Sequence, residues 1–175
     1  AIDALPEAFD ARLGMPGDWL VEWKYDGIRA QVVRRAGRTW IWSRGEELMT
    51  ERFPEIVALA ERLPGGTVLD GEILVWRDGR QAPFALLQQR IGRKLLTKKV
   101  LADAPVAFMA YDVLEWQGAD VRAWVQAKRR EILEQAVAAT GMLLSPTVDA
   151  PTWQALSELR EQSREPWSFA TVETL

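Results

Sequence analysis

Cysteine and histidine are both absent from the 175 residues of this chain. Their absence excludes a thiol nucleophile, a serine–histidine–aspartate triad, disulfide bonds and nearly every zinc or haem site. The sequence also lacks long apolar runs and an N-terminal signal region, so a cytoplasmic protein without membrane contact is expected. Any chemistry must therefore use lysine, arginine, carboxylates, hydroxyl groups or a hard metal ion.

An excess of positive charge is lacking as well, because 22 Lys and Arg stand against 25 Asp and Glu, a net charge of −3. This balance excludes nucleic-acid binding by a uniformly basic surface and leaves only a local patch. The apolar fraction of 48% and the charged fraction of 27% are typical of folded proteins and exclude intrinsic disorder. The chain is long enough for one domain with a substantial core.

Residue periodicity predicts both strands and helices. The predicted strands span residues 19–24, 28–35, 39–42, 67–76, 106–114 and 143–144. The predicted helices span residues 54–63, 84–91, 121–140 and 151–164. Strands and single helices in this irregular order, with short hairpins between them, predict an α+β fold with mostly antiparallel sheets.

A lysine precedes a tight turn in the segment Lys24-Tyr25-Asp26-Gly27-Ile28-Arg29. A lysine is an ammonium at neutral pH, so a nucleophilic lysine needs a pKa lowered by burial or by nearby cations. Gly27 would let the backbone approach a bound nucleotide, and Arg29 could bind ribose or phosphate oxygens. A plain surface hairpin with an ion pair between Lys24 and Asp26 is the alternative interpretation.

Two carboxylates, Asp70 and Glu72, lie on one face of the strand predicted at 67–76. Like charges this close are costly in a dry core, so that face either meets water or holds a cation. The pattern therefore predicts a wet cleft, with Asp70 and Glu72 as candidate metal ligands.

A local basic patch follows the helix predicted at 84–91. Its five cations lie within ten residues and are Arg90, Arg93, Lys94, Lys98 and Lys99. Such a run is either a solvated face or a surface that contacts the phosphates of a nucleic acid. Both interpretations stay open at this point.

Three further motifs follow the lysine segment in order: Trp42-Ser43-Arg44-Gly45, Leu69-Asp70-Gly71-Glu72 and Ala110-Tyr111-Asp112-Val113-Leu114. With these four motifs, the chain resembles the covalent nucleotidyltransferases and, among them, the bacterial ATP-dependent DNA ligases. The resemblance runs from about residue 19 to about residue 164. It implies the nucleotidyltransferase fold, similar to ATP-grasp proteins, with antiparallel sheets flanked by helices and a nucleotide cleft between them.

The resemblance also implies a reaction and a role for each motif residue. Lys24 would attack the α-phosphate of ATP, hold AMP covalently, and pass it to the 5′-phosphate of a DNA nick. Glu22 would accept from the adenine amino group, and Tyr111 would stack on the base. The other nucleotide-binding residues implied are Asp26, Gly27, Arg29, Arg44 and Glu72. Mg²⁺ would neutralise the triphosphate, and the basic patch would grip the duplex.

The resemblance further implies a monomeric, nucleoid-associated enzyme of DNA repair, replication and recombination. An mRNA capping guanylyltransferase or an RNA ligase would use the same lysine chemistry, and a nucleotide- or DNA-binding remnant without turnover is a further alternative. We expect residues 1–175 to form one adenylation domain whose last strands are missing or altered after about residue 165, with no oligonucleotide-binding barrel. On that reading, the chain adenylates itself slowly at most and seals no nick.

Overall fold

The computed structural model describes residues 13–162 and 173–174. The chain divides into two compact units, one formed by residues 27–144 and the other by the residues up to 26 together with those from 145 onward. None of the helices in the described residues is long and apolar enough to cross a membrane.

The secondary structure confirms the predicted α+β class. The strands are β1 (Val21–Glu22), β2 (Ile28–Arg35), β3 (Arg38–Ser43), β4 (Thr67–Arg77), β5 (Arg80–Gln81), β6 (Val106–Trp116), β7 (Ala119–Asp120), β8 (Leu143–Leu144) and β9 (Glu173–Thr174). The helices are α1 (Pro54–Ala60), α2 (Phe84–Ile91), α3 (Lys98–Asp103), α4 (Gln126–Thr140) and α5 (Trp153–Gln162).

The unit of residues 27–144 is built on one sheet with the strand order β3-β2-β4-β6-β7, to which β5 adds on β4 and β8 on β6. Every pairing in it is antiparallel except that of β8 with β6. Alternation along the strands gives the sheet two faces. Ala30 and Val32 of β2 lie on one face with Leu69 and Ile73 of β4, whereas Arg29 lies on the other.

The core of this unit forms where the apolar sheet face meets the helices. Phe53 and Ile56 at the start of α1, Leu87 of α2 and Leu133 of α4 are almost fully buried against it. The helices therefore cover one face of the sheet, which leaves Arg29 of β2 and Asp70 and Glu72 of β4 on the opposite face.

The unit that contains β1 has a small core of its own. Val21 of β1 packs with Trp153 and Leu156 of α5, and the indole ring of Trp19 meets that of Trp153 edge to face. β1 pairs antiparallel with β9, a strand that the irregular tail sequence does not predict. We expect the last strands to be missing or altered after about residue 165. Apart from β9, that part of the chain lies outside the described residues.

Several element boundaries differ from the sequence-based predictions. The strand predicted at 19–24 shortens to β1, and the helix predicted at 54–63 ends at Ala60. The helix predicted at 121–140 begins only at Gln126, because a turn precedes it in which the Trp124 amide donates to the Val121 carbonyl at 2.9 Å. The helix predicted from 151 begins at Trp153.

Candidate functional site

Glu22 and Lys24 lie at the end of β1. Glu22 is buried, with 7% of its surface exposed, whereas Lys24 is exposed two residues beyond the strand. Burial raises the pKa of the neighbouring Tyr25 phenol, and the negative charge of Glu22 raises it further. The unit thus holds a buried carboxylate and an exposed amine close together in the chain, with Asp26 exposed after them.

Gly27 opens the other unit at a place where its backbone runs close to β4. A Cβ atom at Gly27 would lie 2.4 Å from the carbonyl oxygen of Ile73 and 2.8 Å from Cγ of Glu72. No side chain fits there, so the glycine is required by the protein's own packing. The close approach predicted for Gly27 is therefore, in this structure, an approach to β4.

Arg29 is the centre of a polar cluster on the sheet face away from the core. Its Nε lies 3.2 Å and 3.1 Å from the two carboxylate oxygens of Asp70, and its Nη2 also donates to Asp70. The guanidinium carbon lies 4.6 Å from the centre of the Tyr111 ring, a cation–π contact. Glu72 is the cross-strand partner of Arg29 in the register of β2 and β4. Strands β2, β4 and β6 thus bring together four of the predicted site residues, which are Arg29, Asp70, Glu72 and Tyr111.

The charge of Arg29 follows from these neighbours. Burial by itself would lower the pKa of the guanidinium, but the hydrogen bond to Asp70 and the negative charges of Asp70 and Glu72 raise it above its ordinary value. Arg29 is therefore a permanent cation fixed in place by a carboxylate, which suits it to bind ribose or phosphate oxygens.

A β-bulge positions Tyr111. In the ladder between β4 and β6, Gly71 pairs with Ala110 and Asp70 pairs with Asp112, so Tyr111 has no partner in register. Bulges of this kind redirect a side chain and are frequent beside active sites. Tyr111 has 7% of its surface exposed, so stacking on a base requires the groups that cover it to move aside.

Arg44 lies in the turn after β3, with its side chain exposed. Its amide donates to the carbonyl of Arg29 at 2.9 Å, which ties the turn to the start of β2. The backbone of Arg44 is thereby fixed next to the cluster of Arg29, Asp70, Glu72 and Tyr111.

Asp70 and Glu72, the two predicted metal ligands, both lie in the cluster around Arg29. Asp70 is occupied by the guanidinium of Arg29, whose positive charge would repel a divalent cation. Within the described residues, no group of three or more acidic, His or Cys side chains is arranged to hold a metal ion. The metal-binding role of Asp70 and Glu72 stays a prediction, and the structure shows Asp70 in an ion pair with Arg29.

Arg90 does not belong to the exposed basic patch, because its side chain is buried. Its side chain is 1% exposed, and both of its terminal nitrogens lie 2.7 Å from the carboxylate oxygens of Glu55. The same nitrogens donate to the carbonyls of Ala104 at 2.8 Å and Arg52 at 2.9 Å. Arg90 therefore joins α2 to the start of α1 and cannot contact DNA. The cations that stay exposed are Arg93, Lys94, Lys98 and Lys99.

Sequence reasoning missed a second ion pair close to Tyr111. Arg129 of α4 holds Asp112, with Nε lying 2.9 Å from one carboxylate oxygen and Nη2 lying 3.0 Å from the other. The two residues are 17 positions apart and belong to different elements, so no local pattern in the sequence could have paired them.

Comparison with known proteins gives one family. A sequence model described as "ATP dependent DNA ligase domain" matches residues 4–166. A probable DNA ligase of Opitutus terrae is 41% identical over 131 residues, which cover 74% of this chain and 13% of that protein.

Solved structures of ligases are similar to this chain as well. The ligase domain of LigD from M. tuberculosis superposes with a TM-score of 0.68 at 27% identity, covering 89% of this chain and 48% of that one. A mycobacterial DNA ligase D complexed with ATP and MES gives a TM-score of 0.65 at 29% identity, covering 82% of this chain and 44% of that one. The chain spans less than half the length of each of these proteins.

Proposed function

Since the chain belongs to the family of ATP-dependent DNA ligase domains, we propose that it binds ATP and transfers the adenylate group to Lys24. The observation that carries the proposal is the cluster on β2, β4 and β6, where Asp70 holds Arg29 against the Tyr111 ring. A fixed cation beside an aromatic ring is suited to a nucleotide, because the ring can stack on a base and the cation can bind oxygens.

The nucleotide-binding roles in this proposal are those that the resemblance to the ATP-dependent DNA ligases implies, and the chemistry of each side chain suits its role. Tyr111 stacks on adenine, and Arg29 binds on the ribose side. Glu72 accepts hydrogen bonds from the ribose hydroxyls, and Arg44 binds phosphate. Glu22 accepts a hydrogen bond from the adenine amino group, which a guanine carbonyl could not provide, and Asp26 and Gly27 complete the binding segment. These contacts with the nucleotide orient the α-phosphate of ATP for attack by Lys24.

Lys24 is the nucleophile in this proposal. The ammonium gives up a proton to water, and the resulting amine forms a bond to the α-phosphorus and releases a second proton to water. The bond from that phosphorus to the pyrophosphate oxygen breaks at the same step, and pyrophosphate leaves with the electron pair. The product is a lysyl-AMP phosphoramidate, which divides a difficult phosphoryl transfer into two easier steps. Magnesium would enter bound to the phosphates of ATP, since Mg²⁺ is commonly held by substrate phosphates with few protein ligands.

The DNA partner is proposed from the same family membership. Arg93, Lys94, Lys98 and Lys99 are exposed close together in sequence and would contact backbone phosphates of a nicked duplex. Contacts of this kind position a protein on DNA without reading its sequence. A sealed nick is the product needed in DNA repair, replication and recombination, so the cytoplasm or nucleoid is the expected location.

The experiment that tests this function is covalent labelling with nucleotide. The chain is incubated with Mg²⁺ and either ATP or GTP labelled at the α-phosphate, and then separated on a denaturing gel. We expect a labelled band with ATP and a far weaker one with GTP. Labelling by GTP of equal strength would favour a capping guanylyltransferase. Binding of ATP without any label would favour a remnant without turnover.

A further inference from the structure

Arg129 is fixed more firmly than an ordinary surface arginine of a helix. Besides its hydrogen bonds to Asp112, its Nη1 donates to the carbonyl of Trp124 at 2.6 Å, and its Nη2 also donates to Gln126. The side chains of Arg129 and Asp112 are only 16% and 18% exposed. A bidentate pair with so little solvent contact holds its partners in one geometry.

The position of Asp112 makes this pair relevant to the nucleotide cluster. Asp112 is the cross-strand partner of Asp70, which holds Arg29. Two carboxylates directly opposite each other in a ladder repel. Each is paired with its own arginine, Asp70 with Arg29 and Asp112 with Arg129, so the strands can stay in register.

The bulged residue lies directly before Asp112. Because Tyr111 has no partner in register, the ladder does not fix the direction of its side chain. The fixed point next to it is Asp112, whose carboxylate accepts from Arg129 and also from the amide of Val113 at 2.8 Å. The conformation of the bulge thus depends on a contact made by α4.

We infer that Arg129 is a positioning residue for nucleotide binding: by neutralising and holding Asp112, it keeps the bulge that aims Tyr111. The inference rests on the proposed function in that Tyr111 is taken to stack on adenine. Arg129 does not touch the nucleotide and acts only through Asp112. Losing it leaves Asp112 opposite Asp70 without compensation, and Tyr111 then samples several orientations.

The direct test observes Tyr111 itself. The chain contains only two tyrosines, Tyr25 and Tyr111, so incorporated 3-fluorotyrosine gives two ¹⁹F resonances, which Tyr25→Phe assigns. We expect Arg129→Gln to shift and broaden the Tyr111 signal while the Tyr25 signal stays in place. Lys128→Gln is the matched control, because Lys128 lies on the same helix in an exposed pair with Glu131 and should change neither signal.

A second substitution separates positioning from simple anchoring of the helix. Asp112→Asn in the Arg129→Gln background removes the uncompensated charge opposite Asp70, so the Tyr111 signal should return most of the way to that of the parent. If the double variant is as perturbed as the single one, or if Arg129→Gln leaves the Tyr111 signal unchanged, the inference is wrong. Should Arg129→Gln not fold, Arg129→Lys, which keeps the charge without the bidentate geometry, should show a weaker form of the same change.

Nucleotide affinity supplies the functional readout. Arg129→Gln should weaken ATP binding about five- to tenfold, which corresponds to the lower end of the cost of a lost base stack, and the double variant should recover most of it. Failure of the parent chain to bind ATP would refute the proposed function, while the ¹⁹F spectra would still decide whether Arg129 positions Tyr111. An unchanged ATP affinity together with a displaced Tyr111 signal would refute the link between Tyr111 and the nucleotide.

Discussion

At the scale of single residues, Arg29 connects the parts of the candidate site. It receives its orientation from Asp70 on the neighbouring strand and covers a face of the Tyr111 ring from β6. Alternation along β4 was enough to predict that Asp70 and Glu72 share one face of the sheet. It could not predict that Asp70 binds the guanidinium of Arg29, because that contact joins residues 41 positions apart.

Tyr111 allows a prediction about nucleotide affinity. Tyr111→Ala should weaken ATP binding by roughly 1 to 3 kcal/mol, because the stack on the base is lost. Tyr111→Phe keeps the ring and serves as the matched control, with an affinity close to that of the parent. Calorimetric titration with ATP measures both. Equal ATP affinity for Tyr111→Ala and the parent would show that the base does not stack on this ring.

At the scale of elements, the sequence predicts strands and helices well where periodicity is uninterrupted. β2, α2 and β8 have the predicted bounds, because each is a short segment enclosed by turn residues. The sequence predicts too early a start for α4, since the apolar residues Val121, Trp124 and Val125 continue the helical pattern through what is a turn.

Two further features differ in whether a local sequence pattern can predict them. α3 went unpredicted although Thr97 caps it by accepting from the amide of Val100 at 3.3 Å, a signal that a search for capping residues could have found. The bulge at Tyr111 depends on how β4 and β6 pair over their whole length, so no local pattern shows it.

The prediction at the scale of elements concerns Arg90, because its side chain joins α2 to the start of α1. Arg90→Met should lower the free energy of unfolding by roughly 2 to 3 kcal/mol, since it strands the carbonyls of Arg52 and Ala104 and leaves Glu55 without its partner. Glu55 is 32% exposed and can regain some hydration, which keeps the loss moderate. Arg93→Met, at an exposed position near the end of the same helix, is the control and should leave the urea midpoint unchanged. A midpoint for Arg90→Met equal to that of the parent would contradict the tethering role.

At the scale of the whole molecule, charge limits how the chain holds DNA. With a net charge of −3, the four exposed cations after α2 can supply only a few phosphate contacts, and such contacts weaken steeply with salt. We therefore expect duplex binding by this chain to be detectable at low salt and lost near physiological salt. This expectation agrees with the proposal that the four cations contact backbone phosphates without reading the DNA sequence.

The measurement that tests the central claim most directly is the intact mass of the chain after incubation with ATP and Mg²⁺, followed by peptide mapping. The account predicts a gain of one adenylate group, located on Lys24 and absent from Lys24→Ala. Lys94→Ala, which removes an exposed lysine of the basic patch, is the control and should still be adenylated. No gain of mass, or an adenylate located on a lysine other than Lys24, would contradict the account.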